Sequence, residues 1–373
     1  MRGTGFRIRD PILGDIKANS IELSIIETPE MQRLRRISQV GFASMVYPGA
    51  THTRFSHSLG TMELTKEIYQ NLYGDHDEEL YLAAMLHDIG HAPFSHATDL
   101  ILNKYLHTTH EKVGEQKIRH GRIKDLISAN HSFSRFIKYF NGKGLGVVFA
   151  GTLGADRIDY LSRDAYYTGV NYGVIDQHRL KYKLRIVDGK LAIYNYDVTV
   201  AESMLIARYL MFNVVYLHHA CLIADGMYEK ALSAAIDSGE IDQKELLEGD
   251  DSTLAIKLQH AKASSELSGE LFSRKLYKRA VYTENKPDIT EEEISDALEK
   301  HGEEEFVIKT AKIKESGEDI YVIDKKENIL GRLSEVSPIV ESINNVIKSK
   351  SILIVACKRG RVEKVKRIVD KLL

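Results

Sequence analysis

The spacing of apolar residues in the first half of the chain is typical of helices. From about residue 20 to 182, apolar positions recur every three or four residues, as on one face of an α-helix. The segment ELYLAAMLHDIG at 79–90 predicts a helix that stops at Gly90, and Pro93 argues against its continuation. The longer segment 202–236 is apolar nearly all round in its middle and predicts a buried helix.

Two other regions carry strand patterns. The segment LRIVDGKLAIYN at 184–195 has two β-rich runs on either side of Asp188-Gly189, a pair typical of a tight hairpin turn. Near the C-terminus, strands are predicted for EFVIKTAKI, IYVIDK and SILIVAC, and helices for SPIVESINNVIK and VEKVKRIVDKLL. We therefore predict a mostly α fold: a helical core with a β-hairpin insertion and a small C-terminal α+β domain. The predicted domains are 1–283 and 305–373, with a charged connector at 284–304.

Composition narrows the class of protein. The 373 residues are 43% hydrophobic and 28% charged, as in globular domains. The net charge of −2 gives no general field for nucleic acid, although local patches leave that partner open. Cys221 and Cys357 stand far apart, which predicts neither a disulfide framework nor a thiolate zinc site. The N-terminus lacks a signal-peptide core and no apolar run approaches the ~20 residues of a membrane helix, so we expect a cytoplasmic protein.

Histidine and aspartate are concentrated in one stretch of the chain. Ten of the 15 histidines lie within residues 52–131. Adjacent His87 and Asp88 can reach one cluster from a splayed helix end, where imidazole supplies a nitrogen ligand and a carboxylate bridges metals or orients a water. His57 upstream and Asp156 downstream are candidates for the remaining ligands. Nitrogen and oxygen ligands without thiolate suit Fe, Mn, Zn, Ni or Co.

A helix-end pair bonded to backbone is the simpler interpretation of a lone His-Asp dipeptide. The block HDIGHAPFSH argues against it, because three histidines and an aspartate fall within ten residues. Gly90 permits close backbone approach, and Pro93 turns the chain so that His91 and His96 can face the same pocket. The block therefore predicts a catalytic metal site.

The chain resembles the HD-domain deoxynucleoside triphosphate triphosphohydrolases, in particular the catalytic core of the SAM-and-HD-domain dNTPase and related bacterial dNTPases. The ordered blocks that carry the likeness are TPEMQRLRRISQVG, VYPGATHTRFSHSLG, LHDIGHAPFSH, THE and ADRIDYLSRD. The resemblance as a whole runs over about residues 10–220. The resemblance implies an HD-type helical catalytic core and a metal-dependent phosphohydrolase that releases deoxynucleoside and triphosphate, with dGTP one candidate substrate.

The resemblance also implies roles for single residues. The metal ligands would be His57, His87, Asp88 and Asp156, with Mg²⁺ a candidate on the phosphates. The catalytic residues would be His91, His96, His110 and Asp88. Either His96 or His110 would protonate the leaving oxygen, and Glu111 would hold His110 in the required tautomer.

Substrate contacts are implied in the same way. Arg54, Arg157 and Arg208 match arginines that clamp the triphosphate, a role that suits the guanidinium fork. For any single arginine a solvated salt bridge is the simpler interpretation, but Arg208 lies in an otherwise apolar helix, where an unpaired charge is costly. Val40 stands where the family dNTPase has Leu, which leaves more room for a ribose 2′-hydroxyl. The sugar and base pocket would contain Gln39, Val40, Tyr160, Asp164, Tyr216 and His218, although Tyr216 also fits ordinary core packing.

A second nucleotide site is implied at a subunit interface. Glu27, Arg33 and Arg35 occupy positions that bind a guanine-nucleotide activator in the family, and a carboxylate suits the guanine donors. The alternative is that QRLRR is simply a basic helical face. The likeness further predicts a homo-oligomer, either a dimer or a tetramer, and no membrane partner.

Two other functions stay open from the sequence. The same metal site would serve a phosphohydrolase or phosphodiesterase on another nucleotide, such as a monophosphate, an alarmone, a cyclic dinucleotide or a nucleic-acid end. The chain would otherwise be a nucleotide-sensing regulatory protein with a vestigial site. The presence of all four metal-ligand positions argues against that last interpretation.

Overall fold

The computed structural model of the protein describes residues 6–284 and 289–373. Helices predominate there, as predicted, and small sheets accompany them. The helices of the first half are Ser20–Ile26 (α1), Pro29–Arg33 (α2), Arg54–Tyr73 (α3), Glu78–Leu86 (α4), Asp99–Leu106 (α5), His110–Arg119 (α6), Arg122–Ser128 (α7), Phe133–Phe140 (α8), Val147–Ala150 (α9), Ala155–Thr168 (α10) and Gln177–Lys183 (α11). The later helices are Val198–Met211 (α12), His219–Asp237 (α13), Glu245–Glu248 (α14), Asp251–His260 (α15), Ser265–Phe272 (α16), Glu291–Lys300 (α17), Leu333–Val336 (α18), Pro338–Ser349 (α19) and Val362–Val369 (α20). The strands are Phe6–Asp10 (β1), Gly14–Ala18 (β2), Leu184–Val187 (β3), Lys190–Tyr194 (β4), Lys278–Thr283 (β5), Phe306–Ala311 (β6), Tyr321–Ile323 (β7), Ile329–Arg332 (β8) and Ile352–Cys357 (β9).

Helix α4 lies at the centre of the molecule. Every residue of Glu78–Leu86 is buried, and α3 and α8 pack against it. The helix begins where the Asp77 side chain accepts a hydrogen bond from the Leu80 amide. It ends at Leu86 rather than at the predicted Gly90, since the chain passes into tight turns in which the Ile89 amide bonds to the Leu86 carbonyl. This early end places His87 and Asp88 just beyond the last helical turn.

The sequence predicted one helix over the apolar segment 202–236, but the structure divides this segment into several elements. Helix α12 is followed by a π-helical turn at Phe212–Tyr216, and α13 begins only at His219. The break occurs where His218 adopts an extended backbone and its ring accepts a hydrogen bond from the Ala220 amide. A π-turn inside a helical segment is often found at a functional site.

The same segment bears on the membrane prediction. The helical stretch Asn195–Tyr216 is long and apolar enough, by length and composition, to cross a membrane. The prediction that no apolar run approaches the length of a membrane helix is therefore wrong. Helix α12 packs against α10 and α19, and Met204 and Met211 are fully buried there. The absence of a membrane partner and the cytoplasmic location remain predictions.

The predicted hairpin at 184–195 is confirmed. Strands β3 and β4 pair antiparallel, and Asp188 and Gly189 both have positive φ, as a tight two-residue turn requires. The hairpin is not an isolated insertion, however, because β4 pairs in parallel with β7 in the sheet β3-β4-β7-β8. The C-terminal strands therefore pack directly onto the catalytic half.

The C-terminal region confirms three predicted strands, which appear as β6, β7 and β9, and adds β5 and β8. Strand β5 precedes the predicted boundary at 283 and pairs with β9 in the sheet β5-β9-β6. The predicted connector 284–304 contains helix α17, whose Ile294 and Leu298 are fully buried whereas its charged residues are exposed. Residues 285–288 of that connector lie outside the described residues. The domain boundaries themselves remain a prediction.

The candidate metal centre and its pocket

A buried carboxylate bonds to the ring nitrogen of His57 that faces away from the metal cluster. The Nδ1 of His57 lies 2.8 Å from Asp159 Oδ2, which leaves Nε2 facing Asp156 Oδ1 at 3.1 Å and Asp88 Oδ2 at 3.6 Å. Asp159 in turn accepts two hydrogen bonds of 2.8 Å from Arg163, so its position is fixed. A carboxylate on the far ring nitrogen is the usual support of a metal-binding histidine. The sequence interpretation did not include Asp159.

His87 has one ring nitrogen bonded and the other free. Its Nδ1 donates to the Ala84 carbonyl at 2.8 Å, one turn back along α4. Its Nε2 is buried and forms no hydrogen bond among the described residues, yet it lies 3.2 Å from Asp88 Oδ1 and 3.7 Å from Asp156 Oδ1. A buried ring nitrogen that faces two carboxylates without a hydrogen bond is the arrangement a cation would satisfy.

Asp88 is oriented by Arg54. The guanidinium donates from Nη1 to Asp88 Oδ2 at 2.7 Å, from Nε to Ser95 Oγ at 2.9 Å and from Nη2 to the Gln39 carbonyl at 3.3 Å. Arg54 is 3% exposed, and its three nitrogens are all bonded to protein. The structure thus gives Arg54 a positioning role, and it differs here from the predicted phosphate clamp.

Electrostatics agree with a cation site. Burial opposes ionisation of Asp88, but the charges of Arg54 and His87 hold its pKa well below the usual value. Burial likewise opposes charge on His57, whereas hydrogen bonds with Asp156 and Asp159 raise the pKa of His57 to about 10. The carboxylates are therefore ionised ligands, and the protons now on the imidazoles are those that a bound cation would replace.

The residues present fit a divalent metal. The ligand atoms of His57, His87 and Asp88 lie within 4.8 Å of one another. Asp156, from a third element, places Oδ1 3.1 Å from His57 Nε2 and 3.7 Å from His87 Nε2. Asp156, in the first turn of α10, is about 30% exposed and forms the open side. The predicted ligand set is brought together, and its chemistry suits a catalytic rather than a structural site, because a side remains open for water or substrate.

A second cluster of side chains adjoins the first. The ligand atoms of His91, His96, Asp99 and His110 lie within 4.8 Å of one another. Asp99 accepts hydrogen bonds from His96 Nδ1 at 2.8 Å and from His110 Nδ1 at 3.1 Å. Burial alone would raise the pKa of Asp99, but these two hydrogen bonds outweigh it and hold the pKa far below normal. The sequence interpretation assigned the orienting role to Glu111, which instead lies 3.4 Å from His110 Nε2.

His91 links the two clusters. Its Nε2 is 3.3 Å from Asp88 Oδ1 and its ring stacks on His110 at 3.9 Å. The His91 Nδ1 is buried and forms no hydrogen bond with the described residues, and burial with the nearby Arg54 charge keeps the pKa of His91 well below normal. A neutral His91 therefore stands between the metal ligands and the more exposed His96 and His110.

Gly90 permits the turn after His87 to approach α6 closely, and the sequence predicted such a close backbone approach. A Cβ at Gly90 would lie far inside van der Waals contact with the His110 carbonyl and with the Gly114 backbone of α6. The turn after His87 therefore packs directly on α6, which carries His110.

A cavity of about 580 Å³ opens beside the metal cluster. Five predicted sugar and base residues line it together with the cluster, namely Gln39, Val40, Tyr160, Asp164 and Tyr216. Asp164 accepts from the Tyr216 hydroxyl at 2.5 Å and lies 2.7 Å from His52 Nε2. The residue His52 was missed in the sequence interpretation. His218 was predicted here as well, but it does not line the cavity and instead caps α13.

The other two predicted clamp arginines do not line the cavity. Arg208 donates from Nη1 to the Lys314 carbonyl at 3.1 Å and to Ser316 Oγ at 2.9 Å, while its Nε is buried without a partner among the described residues. Arg157 has a buried Nη1 without a described partner. Of the three arginines, Arg157 keeps the most free hydrogen-bonding capacity.

The predicted regulatory residues are not equivalent. Arg33 is 6% exposed and donates to the carbonyls of His91 at 2.8 Å and Gly249 at 2.8 Å, so it supports the active-site turn rather than an accessible surface. Arg35 is exposed and lies over the Phe55 ring, and Glu27 is exposed. A regulatory site at Glu27 and Arg35 remains a prediction.

The helical core and the clustered histidines and aspartates define an HD domain. The HD domain family model matches residues 54–163, and a model described as an HD associated region matches residues 175–373. An uncharacterized protein of Methanocaldococcus jannaschii is 36% identical over 358 residues, which is 90% of this chain and 75% of that protein. The chain belongs to the family of HD-domain phosphohydrolases that carry an HD-associated region.

More distant similarities extend the comparison. The deoxynucleoside triphosphate triphosphohydrolase SAMHD1 homolog of Dictyostelium discoideum is 25% identical over 311 residues, covering 73% of this chain and 59% of that protein. A phosphohydrolase from Bacteroides thetaiotaomicron superposes with a TM-score of 0.79 and 26% identity, covering 95% of this chain and all of that one. A hypothetical protein from Aquifex aeolicus superposes with a TM-score of 0.83 and 29% identity over 98% of this chain and 100% of that one. The chain spans only 53–55% of the next three curated relatives, which are uncharacterized proteins of Bacillus subtilis and two Mycoplasma species.

Proposed function

We propose that the protein hydrolyses deoxynucleoside triphosphates to deoxynucleoside and triphosphate at a divalent metal bound by His57, His87, Asp88 and Asp156. The observation that carries the proposal is the free, buried Nε2 of His87, which faces two ionised carboxylates beside a cavity. A divalent cation there would supply an activated water and polarise a phosphoryl oxygen. The named phosphohydrolases among its relatives support the same reaction class.

The chain's own residues supply the proton chemistry. Breaking the bond from the 5′ oxygen to the α-phosphorus leaves an alkoxide that needs a proton. His96 and His110 both line the cavity, and each has its Nδ1 fixed by Asp99, so the Nε2 of each can face a leaving group.

The lining of the pocket favours a nucleoside as the part of the substrate that carries the phosphates. Tyr216 donates to Asp164, and burial raises the pKa of Tyr216 well above normal, so this hydroxyl keeps its proton. Asp164 then has both oxygens engaged, and aromatic Tyr160 and Tyr216 stand beside it as an apolar wall for a sugar. A volume of about 580 Å³ lies within the range for small-molecule sites.

A phosphohydrolase that acts on a nucleotide with fewer phosphates is the second candidate. The observation that favours it is the engagement of Arg54 and Arg208 with protein partners, which leaves fewer free cations than a triphosphate needs. Binding of three phosphates would then depend on Arg157, on the histidines and on a metal ion.

The test is a screen of metal-loaded protein against all NTPs and dNTPs, with separate detection of tripolyphosphate and orthophosphate. Tripolyphosphate from dNTPs is expected, and it should disappear in Asp88→Asn with loss of bound metal. Asp188→Asn, in the exposed hairpin turn, is the matched control and should retain full activity. Orthophosphate as the sole product would favour the second candidate. Absence of any turnover by metal-loaded protein would refute both and favour a regulatory role.

A further inference from the structure

A carboxylate that the catalytic scheme does not use also lines the cavity. Asp225 lies on α13, four residues after Cys221, and both side chains line the same space as the metal ligands. Residues four apart on a helix share a face. Nothing in the sequence blocks that carry the family likeness points to this residue.

Asp225 has no hydrogen-bond partner among the residues that the structure describes. The cation whose charge acts on it, Lys309 of β6, instead donates to both carboxylate oxygens of Glu229 at 2.6 and 2.9 Å. Burial raises the pKa of Asp225 to about 7, because little in the protein compensates its charge. Asp225 is half-buried, and a carboxylate without a protein partner that lines a pocket is a candidate ligand contact.

The cavity that Asp225 lines has an apolar and aromatic side. Phe42 and Phe94 line the cavity with their rings stacked at 4.7 Å and 9° from parallel, and Val215 adds an aliphatic side chain. This wall comes from segment 41–45, the turn at 94–98, the π-turn Phe212–Tyr216 and α13, whereas the metal ligands come from α3, the end of α4 and α10. The cavity therefore joins a charged, metal-binding wall to a flat apolar wall that carries one acceptor group.

A nucleotide has the matching distribution of polarity. Its phosphates suit the metal and its flat base suits the aromatic wall, where a carboxylate can accept from N–H groups of the base edge. Guanine presents two adjacent donors, N1–H and the 2-amino group, to the two oxygens of one carboxylate. Adenine and cytosine each place an acceptor beside their amino group, and thymine places its single N–H between two carbonyls.

We propose that Asp225 selects the base, by accepting hydrogen bonds from N1–H and the 2-amino group of a guanine nucleotide. The inference rests on the proposed function, since it places a nucleotide in this cavity with its phosphates at the metal. A site built around such a pair rejects ligands that leave the buried group unpaired.

Steady-state kinetics with dGTP, dATP and dITP test the inference without any variant. dITP keeps N1–H but lacks the 2-amino group, so its kcat/KM should fall about five- to tenfold below that of dGTP. The discrimination between dGTP and dATP should be about tenfold to a hundredfold, as for a bidentate pair.

The variant Asp225→Asn makes the test sharper. An amide offers one acceptor beside one donor, which complements adenine or cytosine, so the ratio of kcat/KM for dGTP over dATP should fall about tenfold or more. Asp237→Asn, at the exposed end of the same helix, is the matched control and should leave the ratio unchanged.

The outcomes separate this inference from the proposed function. Hydrolysis of dNTPs with equal kcat/KM for dGTP, dITP and dATP, or a base ratio unaffected by Asp225→Asn, would overturn the inference and leave the function standing. Absence of hydrolysis would refute the function. In that case, calorimetric titration of the wild-type protein with deoxyguanosine and deoxyadenosine tests base selection by Asp225. Equal affinities for the two nucleosides would refute this role.

Discussion

Arg54 donates from Nη1 to Asp88 Oδ2 at 2.7 Å, and this bond joins the start of α3 to the turn that follows α4. Because Asp88 is also 3.2 Å from His87 Nε2, the orientation of one predicted metal ligand depends on a residue that the sequence assigned to the substrate. This difference in role has measurable consequences.

The conservative change Arg54→Lys should reduce kcat far more than it raises KM. Lysine keeps the charge but cannot bond Asp88, Ser95 and the Gln39 carbonyl at once, so Asp88 loses its orientation. We expect a fall in kcat or metal affinity of about 10- to 100-fold, the range for supports of metal ligands. Steady-state kinetics and metal titration check it, with Arg9→Lys at an exposed position as control. A rise in KM alone would instead restore the phosphate-clamp role.

The support of His57 gives a second prediction. Asp159→Asn should lower metal affinity about 10- to 100-fold, because the amide no longer accepts a charged hydrogen bond from the far side of the ring. The change also leaves buried Arg163 with only Asp10 as a charged partner, so the free energy of unfolding should fall by about 3 kcal/mol. Metal content by mass spectrometry and denaturant unfolding measure the two effects. Unchanged metal affinity in a folded variant would contradict the assigned support.

Gly90 provides a test of backbone packing. Gly90→Ala should destabilise the fold by about 1–3 kcal/mol and reduce turnover, since the new methyl group would displace α6 and with it His110. Gly269→Ala is the matched control: a Cβ there meets no atom within 4 Å, in helix α16, so a gain of up to about 1 kcal/mol is expected. Thermal unfolding measures both variants, and equal effects would show that the close approach is unimportant.

The base preference should depend on pH. Asp225, facing the charges of Lys309 and Glu229, has its pKa raised to about 7 by burial, so the free protein protonates it below neutral pH and loses an acceptor. The ratio of kcat/KM for dGTP over dATP should therefore rise with pH through about 7 and level off above it. Using the ratio removes titrations that both substrates share, such as those of the histidines. In Asp225→Asn the ratio should be flat, and a pH-independent wild-type ratio would contradict the role of Asp225.

Local patterns predicted much of this structure. The hairpin turn at Asp188-Gly189 required only local backbone chemistry. The histidine and aspartate block and the family resemblance together named His57, His87, Asp88 and Asp156, whose side chains do converge. The supporting residues Asp159, Asp99 and His52 were missed, because their partners lie in other elements and no local spacing marks them. Arg54 and Arg33 were assigned from position alone, and only tertiary packing shows that their donors are bonded to protein.

The π-turn at Phe212–Tyr216 bears on how such a pocket arises. A π-turn holds one residue more than the α-helical turn it replaces, and here it ends at the tyrosine that bonds Asp164. A single-residue deletion between 212 and 215 would let this segment wind as a regular α-helix and leave the residues beyond it nearly where they are, because the residue lost is the extra one that the π-turn holds. The metal ligands would keep their positions, and the effect would fall on the tyrosine at the end of the turn and on the sugar wall that it forms with Tyr160.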